Sequence, residues 1–175
     1  MPAMSEGKLQ GFQLWINMPA EFKKNKPEYI YIDSKQMQIY KDLDKKITII
    51  AGKFKDIEGP VSKHNVEPIY FDVELNEGKE FNFELSSTHN SFIYLVDGDI
   101  KIGDQTHEPI QNSKLIILNK EKNLDVLALK NSKFLLISGK PIGEPIARGG
   151  PFVMNTEAEI QEAIQDFHNG TFAKY

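Results

Sequence analysis

A single stretch decides the fold of this chain: Phe92-Ile93-Tyr94-Leu95-Val96-Asp97-Gly98-Asp99-Ile100-Lys101-Ile102. An Asp-Gly pair supplies the positive φ angles that a tight hairpin turn requires, so Asp97-Gly98 predicts a turn between two short strands. On either side, the chain continues as short β-type runs separated by Gly, Pro, Asn or Asp. The runs, with the two strands of this hairpin included, are Tyr29–Ile32, Met37–Tyr40, Ile47–Phe54, Ile69–Leu75, Phe81–Leu85, Phe92–Val96, Ile100–Ile102, Leu115–Leu118, Leu124–Leu129 and Phe134–Ser138. Many short strands at regular spacing predict a mainly β sandwich or barrel rather than strands that alternate with helices.

One helix is predicted, close to the C-terminal end of the chain. Thr156 can cap its first turn through the side-chain oxygen, and Glu159 can reach back to complete a capping box. Asn169-Gly170 provides a left-handed stop after its last turn. Four apolar residues recur at the spacing of one helix face, namely Ile160, Ala163, Ile164 and Phe167. This face is expected to cover a β core.

The composition favours one domain, or one domain with an arm, because 175 residues can bury a single hydrophobic core. A formal net charge of -4 argues against direct binding of nucleic acid, which needs a basic surface. The absence of cysteine excludes disulfides, thiolate metal ligands and a cysteine nucleophile. Residues 1–11 lack the apolar core of a signal peptide, and no run approaches the ~20 apolar residues of a membrane span. We therefore expect a cytoplasmic protein with neither nucleic acid nor membrane as a direct partner.

Histidine is the metal ligand to look for in such a fold, and the chain has 4. A metal site in a β-barrel usually needs two imidazoles two residues apart on a strand, so that both point inward, and no such pair occurs. His64 and His107 lie in polar, loop-like surroundings, and His168 falls in the last turn of the predicted helix, where the dipole favours a cation. His89 precedes the apolar run Phe92–Val96 and could lie at a barrel mouth, which makes it the one candidate for a functional residue.

The spacing of two glycines matches the first metal-binding motif of the cupin-type double-stranded β-helix barrel. That motif reads Gly, five residues, His-x-His, three or four residues, Glu, six residues, Gly. When Gly78 and Gly98 take the glycine places, the ligand places fall on Glu84, Ser86 and Ser91. Glu84 alternates with the apolar residues of its strand and is expected to point away from the core. The pattern predicts a single cupin-type barrel with a C-terminal α-helix and without a metal in this barrel.

Two long motifs at the ends of the chain resemble the pirin family. One is Gly11-Phe12-Gln13-Leu14-Trp15-Ile16-Asn17-Met18-Pro19-Ala20, and the other is Glu144-Pro145-Ile146 followed by Gly150-Pro151-Phe152-Val153-Met154-Asn155-Thr156. Pirins resemble two cupin barrels in tandem, of which this chain matches the tail of the first and all of the second. The resemblance implies that residues 1–28 form an N-terminal arm with one strand, Phe12–Met18, as a remnant of the first cupin. Residues 29–175 would form the second barrel and the C-terminal helix, with Glu21–Pro27 as the linking loop.

The resemblance also implies a metal outside this barrel. Family members bind iron or a similar divalent metal in the N-terminal barrel through a His-x-His pair and a later His-x-Glu pair. Some act as quercetin 2,3-dioxygenases, and others are known as transcriptional co-regulators. The His-x-Glu pair of the family would stand immediately before the position of Met1-Pro2. We therefore expect no catalytic, cofactor-binding or metal-ligating residue in this chain.

Three functions remain open at this point. The first is a non-catalytic interaction, structural or regulatory module that self-associates, for example as a homodimer, or binds another protein. Its contact residues would be Phe12, Leu14, Trp15 and Ile16 in the N-terminal strand, or Phe152, Val153 and Met154 near the C-terminus. The second is a metal-dependent oxidoreductase of the quercetin 2,3-dioxygenase type, complemented by an N-terminal cupin or using an unrecognised site that includes His89. The third is the binding of a small molecule inside the barrel. The residues favour the first function, and hence a chain that is not an enzyme by itself.

Overall fold

The structure, a computed structural model, describes residues 10–61, 65–103, 108–111 and 113–172. The chain divides into two compact units. One consists of the described residues up to Lys26 and from Glu144 onward, and the other is Pro27–Gly143. The helices are α1 (Ala20–Lys23) and α2 (Glu157–Asn169). The strands are β1 (Gln38–Lys41), β2 (Lys45–Ala51), β3 (Lys53–Phe54), β4 (Ile57–Glu58), β5 (Ile69–Leu75), β6 (Glu80–Glu84), β7 (Asn90–Asp97), β8 (Asp99–Ile102), β9 (Ile110–Gln111), β10 (Lys114–Ile117), β11 (Asn123–Ala128), β12 (Ser132–Gly139), β13 (Ala147–Gly149) and β14 (Phe152–Met154).

Two antiparallel sheets form the unit Pro27–Gly143. The larger has six strands in the order β1-β2-β5-β12-β7-β10, and the smaller has four in the order β6-β11-β8-β9. A third, two-stranded ribbon joins β3 to β4. Residues alternate between buried and accessible along β2, β5 and β7, as expected where one face of a sheet covers a core. The prediction of a mainly β protein with one C-terminal helix is confirmed.

Phenylalanine side chains fill the space between the two sheets. The rings of Phe81 on β6 and Phe134 on β12 meet edge to face across it, with centroids 5.6 Å apart. Phe71 on β5 contacts Phe83 in the same manner at 5.2 Å, and Phe54 contacts Phe71 at 6.0 Å. Burying one such side chain contributes about 1.5–3 kcal/mol. The interior is therefore a packed core.

Of the ten strand runs predicted from Tyr29 onward, all but one are realised. Tyr29–Ile32 is the exception, and the physical reason is the lack of a neighbour. Its side chains at Tyr29, Ile30 and Tyr31 are strongly exposed, and none of the described strands pairs with it. Four short strands were not predicted, because two or three residues are too few to show a period of two: β4, β9, β13 and β14.

The predicted N-terminal strand is wrong. No strand is assigned to Phe12–Met18, because none of the described strands runs beside it to supply ladder hydrogen bonds. Most of its apolar side chains instead remain accessible, Trp15 the most strongly, whereas Leu14 is partly buried. Glu21–Pro27 was expected to be a loop, but its first residues belong to the short helix α1, which begins directly after Pro19.

The C-terminal helix is confirmed together with both of its ends. The Thr156 side chain accepts a hydrogen bond from the Glu159 amide, and the Glu159 carboxylate accepts from the Thr156 amide, so the capping box is complete. Gly170 ends the helix in the left-handed conformation, with φ 65°. Ile160 is buried as predicted, whereas Phe167 is mostly exposed. Neither described helix is long and apolar enough to cross a membrane.

The close packing around the turn at Gly98 can be tested by substitution. Gly98 has φ +90°, and a Cβ there would overlap the Ser132 hydroxyl and lie 2.6 Å from the carbonyl oxygen of Asn131. Gly98→Ala should lower the free energy of unfolding by about 2–5 kcal/mol, because backbone strain and overpacking add. Urea denaturation measures this loss of unfolding free energy. Gly78→Ala is the control, since Gly78 has φ +72° and no atom within 4 Å of the added Cβ. Equal effects of the two substitutions would contradict the role given to close packing.

Candidate functional site

A buried polar cluster closes one end of the core. On β7, Ser91 lies on the same face as Ile93 and Leu95, and all three are buried. On β12, Ser138 shares the inner face with Phe134 and is also buried. Antiparallel pairing of the two strands sets Ser91 directly opposite Ser138. The two hydroxyl oxygens are 2.7 Å apart, so one donates to the other.

His89 extends this cluster towards solvent. Its Nδ1 lies 3.3 Å from the Ser138 hydroxyl oxygen, and its Nε2 lies 3.9 Å from the Glu67 carboxylate. The His89 side chain is 7% exposed, whereas that of Glu67 is 66% exposed. The imidazole is thus held between a buried hydroxyl and an accessible carboxylate. Protonation of His89 would create an ion pair with Glu67.

The order serine, histidine, carboxylate is that of a nucleophilic triad, but this cluster does not present a nucleophile. A reacting hydroxyl must be open to substrate. Ser138 is only 2% exposed, and its hydroxyl faces that of Ser91 inside the core. The cluster therefore satisfies buried polar groups at the end of the core, which is the usual reason that such groups are paired.

The ligand places of the cupin metal motif do not meet at one point. Glu84 lies on the outer face of β6, as predicted, and its carboxylate pairs with the Lys122 ammonium at 2.8 Å. Ser86 is exposed and its hydroxyl contacts that of Thr88 at 2.8 Å. Ser91 points inward. An outward carboxylate and two neutral hydroxyls do not fit a divalent metal, which needs convergent ligands.

Of the other histidines, only His168 lies among the described residues, and it does not belong to this cluster. Within the described part of the chain, no three His, Asp or Glu side chains are grouped closely enough to hold a metal ion. His168 is exposed in the last turn of α2, as predicted. His64 and His107 lie outside the described residues.

In the other unit, one carboxylate connects the two motifs that mark the ends of the chain. Glu144 Oε2 accepts a hydrogen bond from the Ala20 amide at 2.9 Å and another from the Asn155 side-chain nitrogen at 2.7 Å. Lys23 donates to the carbonyl oxygen of Val153 at 3.0 Å. Hydrogen bonds to a charged carboxylate are stronger than those between neutral groups. The motifs therefore act as one structural unit.

The carboxylate of Glu159 is also fixed in this unit. It accepts from the amides of Asn155 at 3.0 Å and Thr156 at 2.8 Å. The Asn155 amide, followed by the Thr156 hydroxyl, holds the pKa of Glu159 below its ordinary value. The carboxylate therefore stays charged at the start of α2, where the helix dipole favours an anion.

The predicted contact residues fall into two groups. Phe152, Val153 and Met154 form β14, are half-buried and lie next to α2 and β13. The Phe152 ring meets that of Phe172 with centroids 5.2 Å apart. The N-terminal group is more accessible: Trp15 is 65% exposed, Phe12 and Ile16 are nearly half-exposed, and Leu14 is partly buried.

Comparisons with known proteins agree with this architecture. Residues 70–173 match the family model of the pirin C-terminal cupin domain. A Pseudomonas aeruginosa protein, whose name assigns it provisionally to the quercetin 2,3-dioxygenases, is 33% identical over 178 residues, which cover 99% of this chain and 62% of that protein. Pirin of Rattus norvegicus is 33% identical over 171 residues, or 94% of this chain and 57% of pirin. The crystal structure of a quercetin 2,3-dioxygenase from Acinetobacter baumannii matches 90% of this chain and 55% of that one, with a TM-score of 0.83 and 29% identity.

The two sheets and the structural match define a protein of the cupin fold. The chain belongs to the pirin family, as its two terminal motifs predicted. It spans about three fifths of the length of the curated relatives that it matches.

The buried cluster can be tested by a double-mutant cycle. Ser138→Ala leaves the Ser91 hydroxyl and His89 Nδ1 without their shared partner, so the free energy of unfolding should fall by about 1–3 kcal/mol. Adding Ser91→Ala should cost less than it does alone, because the orphaned hydroxyl is removed. Urea denaturation of the four proteins measures the coupling. Ser86→Ala, at an exposed hydroxyl, should change stability by no more than about 0.5 kcal/mol. Strictly additive losses at Ser91 and Ser138 would argue against a shared hydrogen bond.

Proposed function

We propose that this chain provides a non-catalytic cupin module that acts by contact with protein surfaces, in the cytoplasm. The observation that carries the proposal is the filled interior of the sandwich. The rings of Phe81 and Phe134 meet at 5.6 Å in the space between the two sheets. At the motif places, Glu84 is exposed on the outer face of β6 whereas Ser91 is buried on the inner face of β7, so the two offer no common ligand position.

An oxygenase of the cupin type activates its substrate or oxygen at an open coordination position of a metal. Such a position needs a cavity and ligands that converge on it. The core between the sheets is packed with aromatic rings, and the polar cluster around His89 is engaged in its own hydrogen bonds. These features support a structural or regulatory role for this module.

A second function is favoured by the relatives. The Acinetobacter baumannii structure, with a TM-score of 0.83, is of a quercetin 2,3-dioxygenase. In this alternative the chain takes part in a metal-dependent oxidation of quercetin, and a further cupin supplies the iron or a similar divalent metal. The module described above would then support the catalytic cupin rather than hold the metal.

Metal content and turnover test whether this chain is catalytic by itself, through a site that includes His89. After incubation with Fe²⁺ and dialysis, we expect less than stoichiometric metal and no consumption of quercetin above that of the buffer. Elemental analysis and the loss of quercetin absorbance measure these quantities. Stoichiometric metal together with turnover that His89→Ala abolishes would refute the non-catalytic role and identify a site at the end of the core.

The N-terminal segment is the contact surface that we propose for self-association, with a second copy of the chain as partner. Phe12, Trp15, Ile16 and Met18 expose apolar surface within seven residues. Contiguous exposed apolar surface commonly marks a protein contact. The half-buried residues Phe152, Val153 and Met154 belong to the same compact unit and are the alternative contact surface.

Sedimentation measurements test the segment directly. If the chain associates through it, Trp15→Ser should weaken the dimer by about tenfold or more, because large aromatic side chains dominate most interfaces. Leu43→Ser is the matched control, since Leu43 is 95% exposed but lies in the other unit. An unchanged dimer in Trp15→Ser, or a monomeric unsubstituted chain, would exclude this surface.

A further inference from the structure

An open cavity lies along the side of the sandwich where the two sheets end. Strand β10 is the last strand of the six-stranded sheet, and β9 is the last strand of the four-stranded sheet. Residues of both line a cavity of about 630 Å³. This volume falls within the range of small-molecule sites, which is about 300–1,000 Å³. The cavity is distinct from the polar cluster around His89, which does not line it.

The walls of the cavity are apolar and supported by the core. Ile102, Ile110, Ile116 and Leu118 are partly buried and pack against the core cluster. Leu85 and Leu124, which are buried members of that cluster, complete the lining. Side chains held in this way do not need to rearrange to receive an apolar group, so less ordering free energy is lost on binding.

Carboxylates provide the charge of the same cavity. Glu108, Glu121 and Asp125 line it, and no lysine, arginine or histidine does so among the described residues. Two of the three are held in place by amides. Asn119 donates to Glu121 at 2.8 Å, and Asn82 donates to Asp125 at 2.7 Å. These hydrogen bonds fix the positions of two carboxylates in the cavity wall.

We propose that this cavity binds a small organic amine, with an apolar ring or branched chain on the isoleucine walls and an ammonium group at the carboxylates. The apolar walls provide affinity, and the three carboxylates select the sign of the ligand charge. An anion of the same shape is disfavoured, because it would approach three like charges without a cation among the described lining residues. Three compounds with the same naphthalene ring carry a cationic, a neutral and an anionic substituent, respectively: 2-naphthylmethylamine, 2-naphthylmethanol and 2-naphthoate.

Methyl NMR of the chain with labelled isoleucine locates the binding and measures its selectivity. Titration with 2-naphthylmethylamine should shift the methyl signals of Ile102, Ile110 and Ile116 in a saturable manner. The amine should bind about tenfold more tightly than the alcohol, because each exposed ion pair contributes about two- to fivefold. The naphthoate should bind more weakly than the alcohol. At ~1 M salt the Debye length falls to about 3 Å, so the preference for the amine should largely disappear.

Variants of the carboxylates separate selectivity from simple apolar binding. Glu108→Gln and Glu121→Gln keep the side-chain shape, and together they should bring the amine to within about threefold of the alcohol. Binding of the alcohol should not change. Glu58→Gln, which removes an exposed carboxylate from the β3–β4 ribbon, should leave the preference intact. Equal binding of amine and alcohol by the unsubstituted chain, or saturable shifts only at isoleucines that do not line the cavity, would overturn the proposal. The absence of saturable shifts with all three compounds would overturn it as well.

Discussion

The contact of phenylalanine rings between the two sheets determines where polar chemistry can occur in this protein. Phe81 and Phe134 meet across the core at 5.6 Å, and Phe71 and Phe83 meet at 5.2 Å. A core of this density leaves no room for a ligand or for an unpaired polar group. Polar side chains are therefore displaced to its boundaries. The hydroxyl cluster of Ser91 lies at one end of the strands, and the carboxylate-lined cavity lies where the sheets part.

The strands could be predicted wherever alternation and a turn signal occurred together. Ile69–Leu75 matches β5 at both ends, because every second side chain is buried. Tyr29–Ile32 has the same residue types, but no described strand lies beside it. Residue types indicate that a segment is suited to a half-buried strand, but they do not indicate whether a partner strand is available. The position of His89 at the end of a strand was predicted. Its partner Ser138 was not, because it lies 49 residues away and only the strand register brings the two together.

The two terminal motifs identified the family before their physical role was known. In the structure they share the Glu144 carboxylate, which binds the Ala20 amide across 124 residues and the Asn155 side chain across 11 residues. This explains why an apolar N-terminal segment can stay in place without joining a sheet. At the C-terminal end of this segment, the Ala20 amide donates to the charged Glu144 carboxylate instead of to a neighbouring strand. The prediction of a strand failed because periodicity does not distinguish these two ways of holding a backbone.

The polar cluster and the cavity differ in what they can do, and the difference follows from solvent access. At His89 the ring Nδ1 and the two buried hydroxyls are hydrogen-bonded to one another, so the arrangement stabilises the end of the core. At the cavity the apolar walls are only partly covered, and Glu108 and Glu121 are exposed. A flavonol that has lost a proton would carry its negative charge towards these carboxylates. The charge of the cavity thus argues against quercetin as its ligand, even though relatives of this chain are named for that substrate.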